Sequence, residues 1–255
     1  MTSLICRTAC CVLVAIAVSL VALNGASSAA EESLSVKELL GRAITELTQA
    51  DAFSFHAEIL LDRLDPAGQK LQFAAAVDAV VRRPDRMRLD YIGDLVAKRA
   101  WYDGDTLTIF DPDHGVYAEM PGAGEVAATL HAAGERYGVT LPLADLVRSD
   151  LEQRIDSGVV ARMHRIGLHD VGGVDCHHLA LRREHDDVQL WIRAGDRPLL
   201  CKVVFTYKNQ PGSPQFAAVF SDWDLSPKLR DKEFEPKLPK EAVRASFLED
   251  RSQSR

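Results

Sequence analysis

Two runs of strict alternation set the strongest limit on what this chain can fold into. Phe53, Phe55, Ala57, Ile59 and Leu61 alternate with Ser54, His56, Glu58, Leu60 and Asp62. After the turn Asp65-Pro66-Ala67-Gly68, the residues Leu71, Phe73, Ala75, Val77, Ala79 and Val81 repeat the device. A period of two sends successive side chains to opposite faces, so each run is a strand with one apolar side. Arg82-Arg83-Pro84-Asp85 ends the second strand, and Met87, Leu89 and Tyr91 continue the pattern. Asp103-Gly104 predicts a tight hairpin between 99–102 and 106–110, and the turn 111–115 leads into 116–120. Strands resume over 159–168, 174–182, 188–193, 200–207 and 215–223. The count is about ten, close to the limit at which an open twisted sheet curls.

Few helices are available to cover that sheet. Ser35 with Glu38 forms a capping-box pattern, and Val36, Leu39, Leu40, Ala43, Ile44 and Leu47 follow at helical spacing. Val126, Ala127, Leu130, Ala133 and Tyr137 suit a second helix, and Pro142 opens a short third one containing Leu143, Leu146 and Val147. A sheet with one apolar face must bury it, which predicts an α+β fold in which a curled antiparallel sheet wraps around helices. The charged tail after Ser226 offers Phe234 and Leu238 for docking, and 249–255 is expected to fray.

Residues 1–30 hold no acid and one base, Arg7, ahead of a mostly apolar run from Ala9 to Leu23 and the small residues Ser28-Ala29-Ala30. This is the pattern of a secretory signal peptide cleaved near Ala30, with an apolar run too short for a spanning helix. Export to the periplasm or beyond follows, with one folded domain over 31–248. Cys6, Cys10 and Cys11 leave with the signal and stand too early for a lipid-anchor site. Cys176 and Cys201 remain, on the first and third strands of a meander. One intervening strand sets them about 9–10 Å apart, beyond disulfide reach in a regular sheet, so free thiols are expected. The net charge of −7 excludes a chain-wide basic face for nucleic acid.

Several stretches resemble the DUF2092 family of predicted exported bacterial proteins, related in fold to the lipoprotein carrier LolA. They are Arg83-Pro84-Asp85-Arg86-Met87-Arg88, Trp101-Tyr102-Asp103-Gly104-Asp105-Thr106-Leu107-Thr108, the run 137–146 from Tyr137 to Leu146, Gly172-Gly173-Val174-Asp175-Cys176-His177-His178-Leu179-Ala180, Gly195-Asp196-Arg197-Pro198-Leu199 and Ser221-Asp222-Trp223. The resemblance spans roughly residues 35–245 and implies an unclosed antiparallel β half-barrel of the LolA/LppX type. Helices would lie across its concave side, with an apolar cavity between that holds acyl chains in the carriers. In those carriers an arginine inside the cavity helps control lid opening, and no residue of this sequence is assigned that role.

The cavity reading nominates Leu40, Ile44 and Leu47 of the first helix, opposite Phe53, Phe55, Leu71, Phe73, Met87, Leu89, Tyr91, Leu107 and Ile109 of the strands. An ordinary packed core accounts for the same positions, since burying one such side chain is worth about 1.5–3 kcal/mol. His164, His169, His177, His178 and His185 fall close together, but His177 and His178 are strand neighbours and point to opposite faces. No metal site or cofactor is expected, nor a nucleophile elbow, phosphate loop or dinucleotide fingerprint. The expected function is therefore non-catalytic: a monomeric exported protein that sequesters a lipid or an acylated protein, in transient contact with membrane. The alternative is an envelope sensor that uses the same scaffold as a protein-interaction module.

Overall fold

The computed structural model describes residues 34–139, 141, 143–147 and 160–247. The expected signal peptide and the 249–255 tail lie outside the described residues. Helix α1 (Val36–Thr48) starts as its capping box requires: the Glu38 amide donates to Ser35 Oγ at 3.2 Å, and the Ser35 amide donates to Glu38 Oε2 at 2.7 Å. Six strands follow: β1 (Ala52–Leu64), β2 (Lys70–Arg82), β3 (Arg86–Gly93), β4 (Ala97–Tyr102), β5 (Thr106–Asp111) and β6 (Val116–Pro121). Helix α2 (Val126–Tyr137) ends where Gly138 adopts φ +65° and donates to the Gly134 carbonyl, a left-handed cap that glycine adopts without a Cβ penalty. The third helix expected from Pro142 is a single 3-10 turn, Ala144–Val147. Then come β7 (Val160–Val171), β8 (Val174–Arg183), β9 (Asp186–Arg193), β10 (Leu200–Tyr207), β11 (Gln215–Asp224) and β12 (Val243–Arg244).

These strands form one sheet in the order β12-β6-β5-β4-β3-β2-β1-β11-β10-β9-β8-β7. The sheet is antiparallel except for β12 on β6, and its two edges do not meet, so the half-barrel stays open. Among the described residues there are twelve strands, not ten: eleven coincide with the segments named from sequence, and the twelfth, β12, is a two-residue piece of the tail whose Val243 pairs with Val116. Because β6 and β7 lie near opposite edges, the chain between them crosses ten strand positions, roughly 48 Å of sheet. Helix α2 rides on that crossing, and its Val126 and Ala133 join the core made by Leu39, Leu40 and Leu47 of α1 and the inner strand faces. The tail docks as its composition suggested: Phe234 is fully buried under the Arg82 guanidinium, 5.2 Å from the ring centre, and Leu238 is half-buried.

The expectation of free thiols is overturned. Cys176 and Cys201 form a disulfide with their Cα atoms 7.0 Å apart. The cause is a bulge: Leu200 pairs with Ile192 and Lys202 with Trp191, which leaves Cys201 as an extra residue in β10. A bulge bends the strand and breaks the alternation. Cys201 thereby leaves the inward series of Val203 and Phe205 and reaches Cys176, the ladder partner of Arg193 at the last position of β9.

Candidate functional site

The concave face has two ends with different cover. At the helix end, the Arg83 amide donates to Asp51 O, the Val126 amide to Pro84 O, and the Tyr102 hydroxyl to Gly124 O, so both helices are anchored there. At the hairpin end, the turns brace one another: Lys70 Nζ donates to Ser213 O, the Lys208 amide to His185 O, and the Ala97 amide to Asp113 Oδ2.

The residues nominated from sequence divide along this line. Leu40, Leu47, Phe53, Phe55, Met87, Leu89, Tyr91 and Leu107 are buried. All but Tyr91 lie toward the helix end, where Phe55 is 4.9 Å from the Trp223 ring and 5.5 Å from Phe220, whereas Tyr91 stands near the hairpin-side end of β3. Ile44, Phe73 and Ile109 are half-buried, and Leu71 is 37% exposed. Toward the hairpins the inner face thus continues beyond its cover.

Strand register shows what the partly covered region consists of. Phe205 pairs with Phe216, Phe216 with Leu61, and Leu61 with Phe73, one strand after another across β10, β11, β1 and β2. All four are half-buried. Three inter-strand steps make this an apolar shelf about 14 Å wide. Leu71 extends it along β2, opposite Arg63. Tyr91 borders the same region. Burial pushes its phenol above the ordinary value, and the nearby Arg63 charge works in the opposite direction. Phe205, Phe216 and Leu61 are missing from the sequence nomination. Their apolar periodicity is visible, but adjacency across β10, β11 and β1 depends on β11 returning to pair with β1.

Sequence reasoning also misses Arg83. Its Nη1 donates to the Val147 carbonyl at 2.8 Å, and its guanidinium stands 5.5 Å from the Phe53 ring centre. Nε and Nη2 are buried without a hydrogen-bond partner among the described residues. Burial pulls its pKa below the ordinary arginine value, with Glu125 opposing. An arginine remains charged under such conditions, so this cation ties the 3-10 turn to the core.

A separate open groove of about 760 Å³ runs between the outer side of α1 and the β9–β10 loop. Leu34 and Pro198 line it together with the charged Lys37, Glu38, Arg42, Glu46 and Asp196. The histidines also separate. His177 pairs with Ile192 and His178 with Trp191, neighbouring positions that face opposite ways. Among the described residues, no three His, Cys, Asp or Glu side chains converge as a metal cluster.

A family of predicted periplasmic proteins, DUF2092, matches residues 36–248. The chain belongs to this family. Among solved structures, the DUF2092 chain is similar to the lipoprotein LppX of Mycobacterium tuberculosis at 14% identity and TM-score 0.47, over 76% of this chain and 97% of that one. LprF of Mycobacterium bovis matches at 14% identity and TM-score 0.47, over 81% and 96%. A LolA superfamily protein of Nitrosomonas europaea matches at 13% identity and TM-score 0.36, over 80% and 99%. No curated protein matches by sequence. Among the described residues, no helix is long and apolar enough to cross a membrane.

Proposed function

We propose that this periplasmic-family protein binds a hydrophobic ligand, an acyl chain of a lipid or lipoprotein, on the concave face at the hairpin end, and carries it without chemical turnover. The observation that supports this reading is the shelf Phe205-Phe216-Leu61-Phe73 with Leu71 beyond it: contiguous apolar surface on the inner face where helix cover stops. An acyl chain laid across it gains about 0.8 kcal/mol per buried methylene. Ten methylenes therefore supply about 8 kcal/mol before the costs of ordering and desolvation. Exposed Arg63 stands at the rim, where a charged or polar headgroup would remain in water, and buried Tyr91 lies on its inner side. The packed helix end, with Phe53 and Leu107, is the floor against which the ligand stops rather than the space it fills.

The deciding experiment is native mass spectrometry of gently purified protein together with titration by a fluorescent fatty acid. The carrier reading expects co-purifying lipid or saturable uptake, reduced by polar substitution on the shelf. Protein that is empty as isolated and takes up neither fatty acid nor lipopeptide refutes it.

A further inference from the structure

On the outer face of the sheet, two imidazoles meet across β7 and β8. His169 Nδ1 lies 3.1 Å from His178 Nδ1. His178 Nε2 lies 3.0 Å from Gln189 Oε1. A carboxamide oxygen only accepts, so Nε2 carries the His178 proton and its Nδ1 lone pair points at His169. Trp191 stacks on the His178 ring at 4.0 Å and 12°, fixing the ring plane, and Lys202 lies beyond the indole, 4.8 Å from its centre. His178 is buried, while His169 is exposed and open to solvent.

The backbone makes room for this pair. Gly167 is the ladder partner of His178, and the register slips between Arg165 and Gly167. A Cβ at position 167 would stand 3.3 Å from His169 Nε2, closer than ordinary contact. The backbone of Gly167 is not in the left-handed region, so glycine is explained by the space it leaves for the ring. His164, opposite Ala180, is on the same side of the sheet two positions along β8 from His178.

We propose that His169 and His178 form a surface site for a divalent transition ion, Cu(II) above all, with water completing the coordination sphere. Two nitrogens 3.1 Å apart, each about 2.05 Å from a shared ion, subtend about 98°, between the right angle of a tetragonal site and the tetrahedral angle. His178 shares one feature of a ligating imidazole: its Nε2–H is donated to a carbonyl oxygen, which sets the tautomer and leaves Nδ1 unprotonated. The ion lies about 1.3 Å to one side of the line between the nitrogens, and both rings turn by roughly 40° to face it as the hydrogen bond between them breaks. The proton of that bond moves from His169 Nδ1 to Nε2, so both ligands remain neutral and none is released. Cu(II) is favoured because imidazole nitrogen suits it and it heads the affinity order of the divalent series. His56 provides the contrast. Its Nδ1 faces Asp78 at 2.8 Å and its Nε2 faces Glu58 at 3.1 Å, so the two carboxylates sit at opposite ring nitrogens and cannot join it on one ion.

The test is titration of the full chain with Cu(II), read by tryptophan fluorescence and by electron paramagnetic resonance. Trp191 touches the proposed ligand, so one equivalent of Cu(II) should quench it, and Trp191→Phe should remove most of that quenching while binding persists. The spectrum should show two coordinated nitrogens. Removing a direct ligand should cost at least the tenfold typical of outer-shell changes, so His178→Gln and His169→Gln should each weaken binding at least about tenfold. His56→Gln should change nothing. Exposed His169 can be replaced without unfolding the chain, which keeps the test valid if the His178 variant is unstable. Absence of stoichiometric binding, or wild-type affinity in His169→Gln, overturns the assignment.

Discussion

The two ends of the concave face are made from the same kind of residue and behave differently. Phe53 and Phe73 occupy inward-facing apolar positions on paired strands, yet Phe53 is fully buried and Phe73 only half-buried. The difference is cover. Among the described residues, α1, α2 and the Arg83 contact with the Ala144–Val147 turn close the helix end, and the hairpin end presents strand faces without helix cover. Identical patterning therefore gives a core at one end and a half-buried apolar surface at the other, because burial energy depends on what packs opposite and not on the residue itself.

That contrast can be broken most sharply through stability. Phe53→Ala should lose about 3–5 kcal/mol, the usual result of truncating a buried aromatic. Phe73→Ala should lose about 1–1.5 kcal/mol, in proportion to its partial burial. Urea unfolding midpoints at constant m-value measure both, and equal losses would mean that the hairpin end is ordinary core. Next in size is the disulfide at the helix end. It closes a loop of 25 residues, so Cys201→Ser should cost about 3–4 kcal/mol in the loop-entropy account. Thermal unfolding with and without reductant checks this, and reductant should have no effect on the variant.

Ligand binding should show the reverse order. Leu71→Ser combined with Phe73→Ser should weaken fatty-acid binding about tenfold or more while folding is largely retained, since each apolar side chain removed from the shelf takes away on the order of 1.5 kcal/mol. Displacement of a fluorescent fatty acid is the measurement. Binding unchanged in that double variant would move the site away from the shelf.

The smallest expected effect is on pH dependence, on the outer side of the same strands. His56 is held above the ordinary imidazole value by hydrogen bonds to Asp78 and then Glu58. Its contribution is therefore full below the unfolded value, near 6.5, and fades as pH rises through the higher folded value. His178 is held below the ordinary value, chiefly by burial and further by the positive fields of His169, Lys202 and His164, with the Gln189 bond opposing. Its contribution is full above about 6.5 and is lost as pH falls through the lower folded value. Melting temperatures across pH 5–8 should lose their acid-side decline in part in His178→Gln, whereas His56→Gln should remove a small acid-side gain. Identical pH profiles in the two variants would contradict these opposite signs.

Much of the fold is legible in local pattern. Alternation marks β1 and β2, the Ser35–Glu38 box marks the start of α1, and Asp103-Gly104 marks a hairpin, because each is set by neighbours in the chain. What local pattern misses is non-local. Counting along β10 assigns Cys201 a face, and a bulge moves it. His177 and His178 are adjacent in sequence and diverge, whereas the pair that meets is His169 and His178, across two strands with a register slip at Gly167. β12 carries too few residues to show any period.

By itself, then, the sequence determined the elements and which side of each is apolar, since strand and helix periods are local geometry. Tertiary structure decided how those sides are used. The return of β11 to β1 aligns Phe205, Phe216, Leu61 and Phe73 into one surface, and the crossing from β6 to β7 determines where the helices lie. Register and cover are set by the whole sheet finding its lowest free energy, and no single segment contains that information.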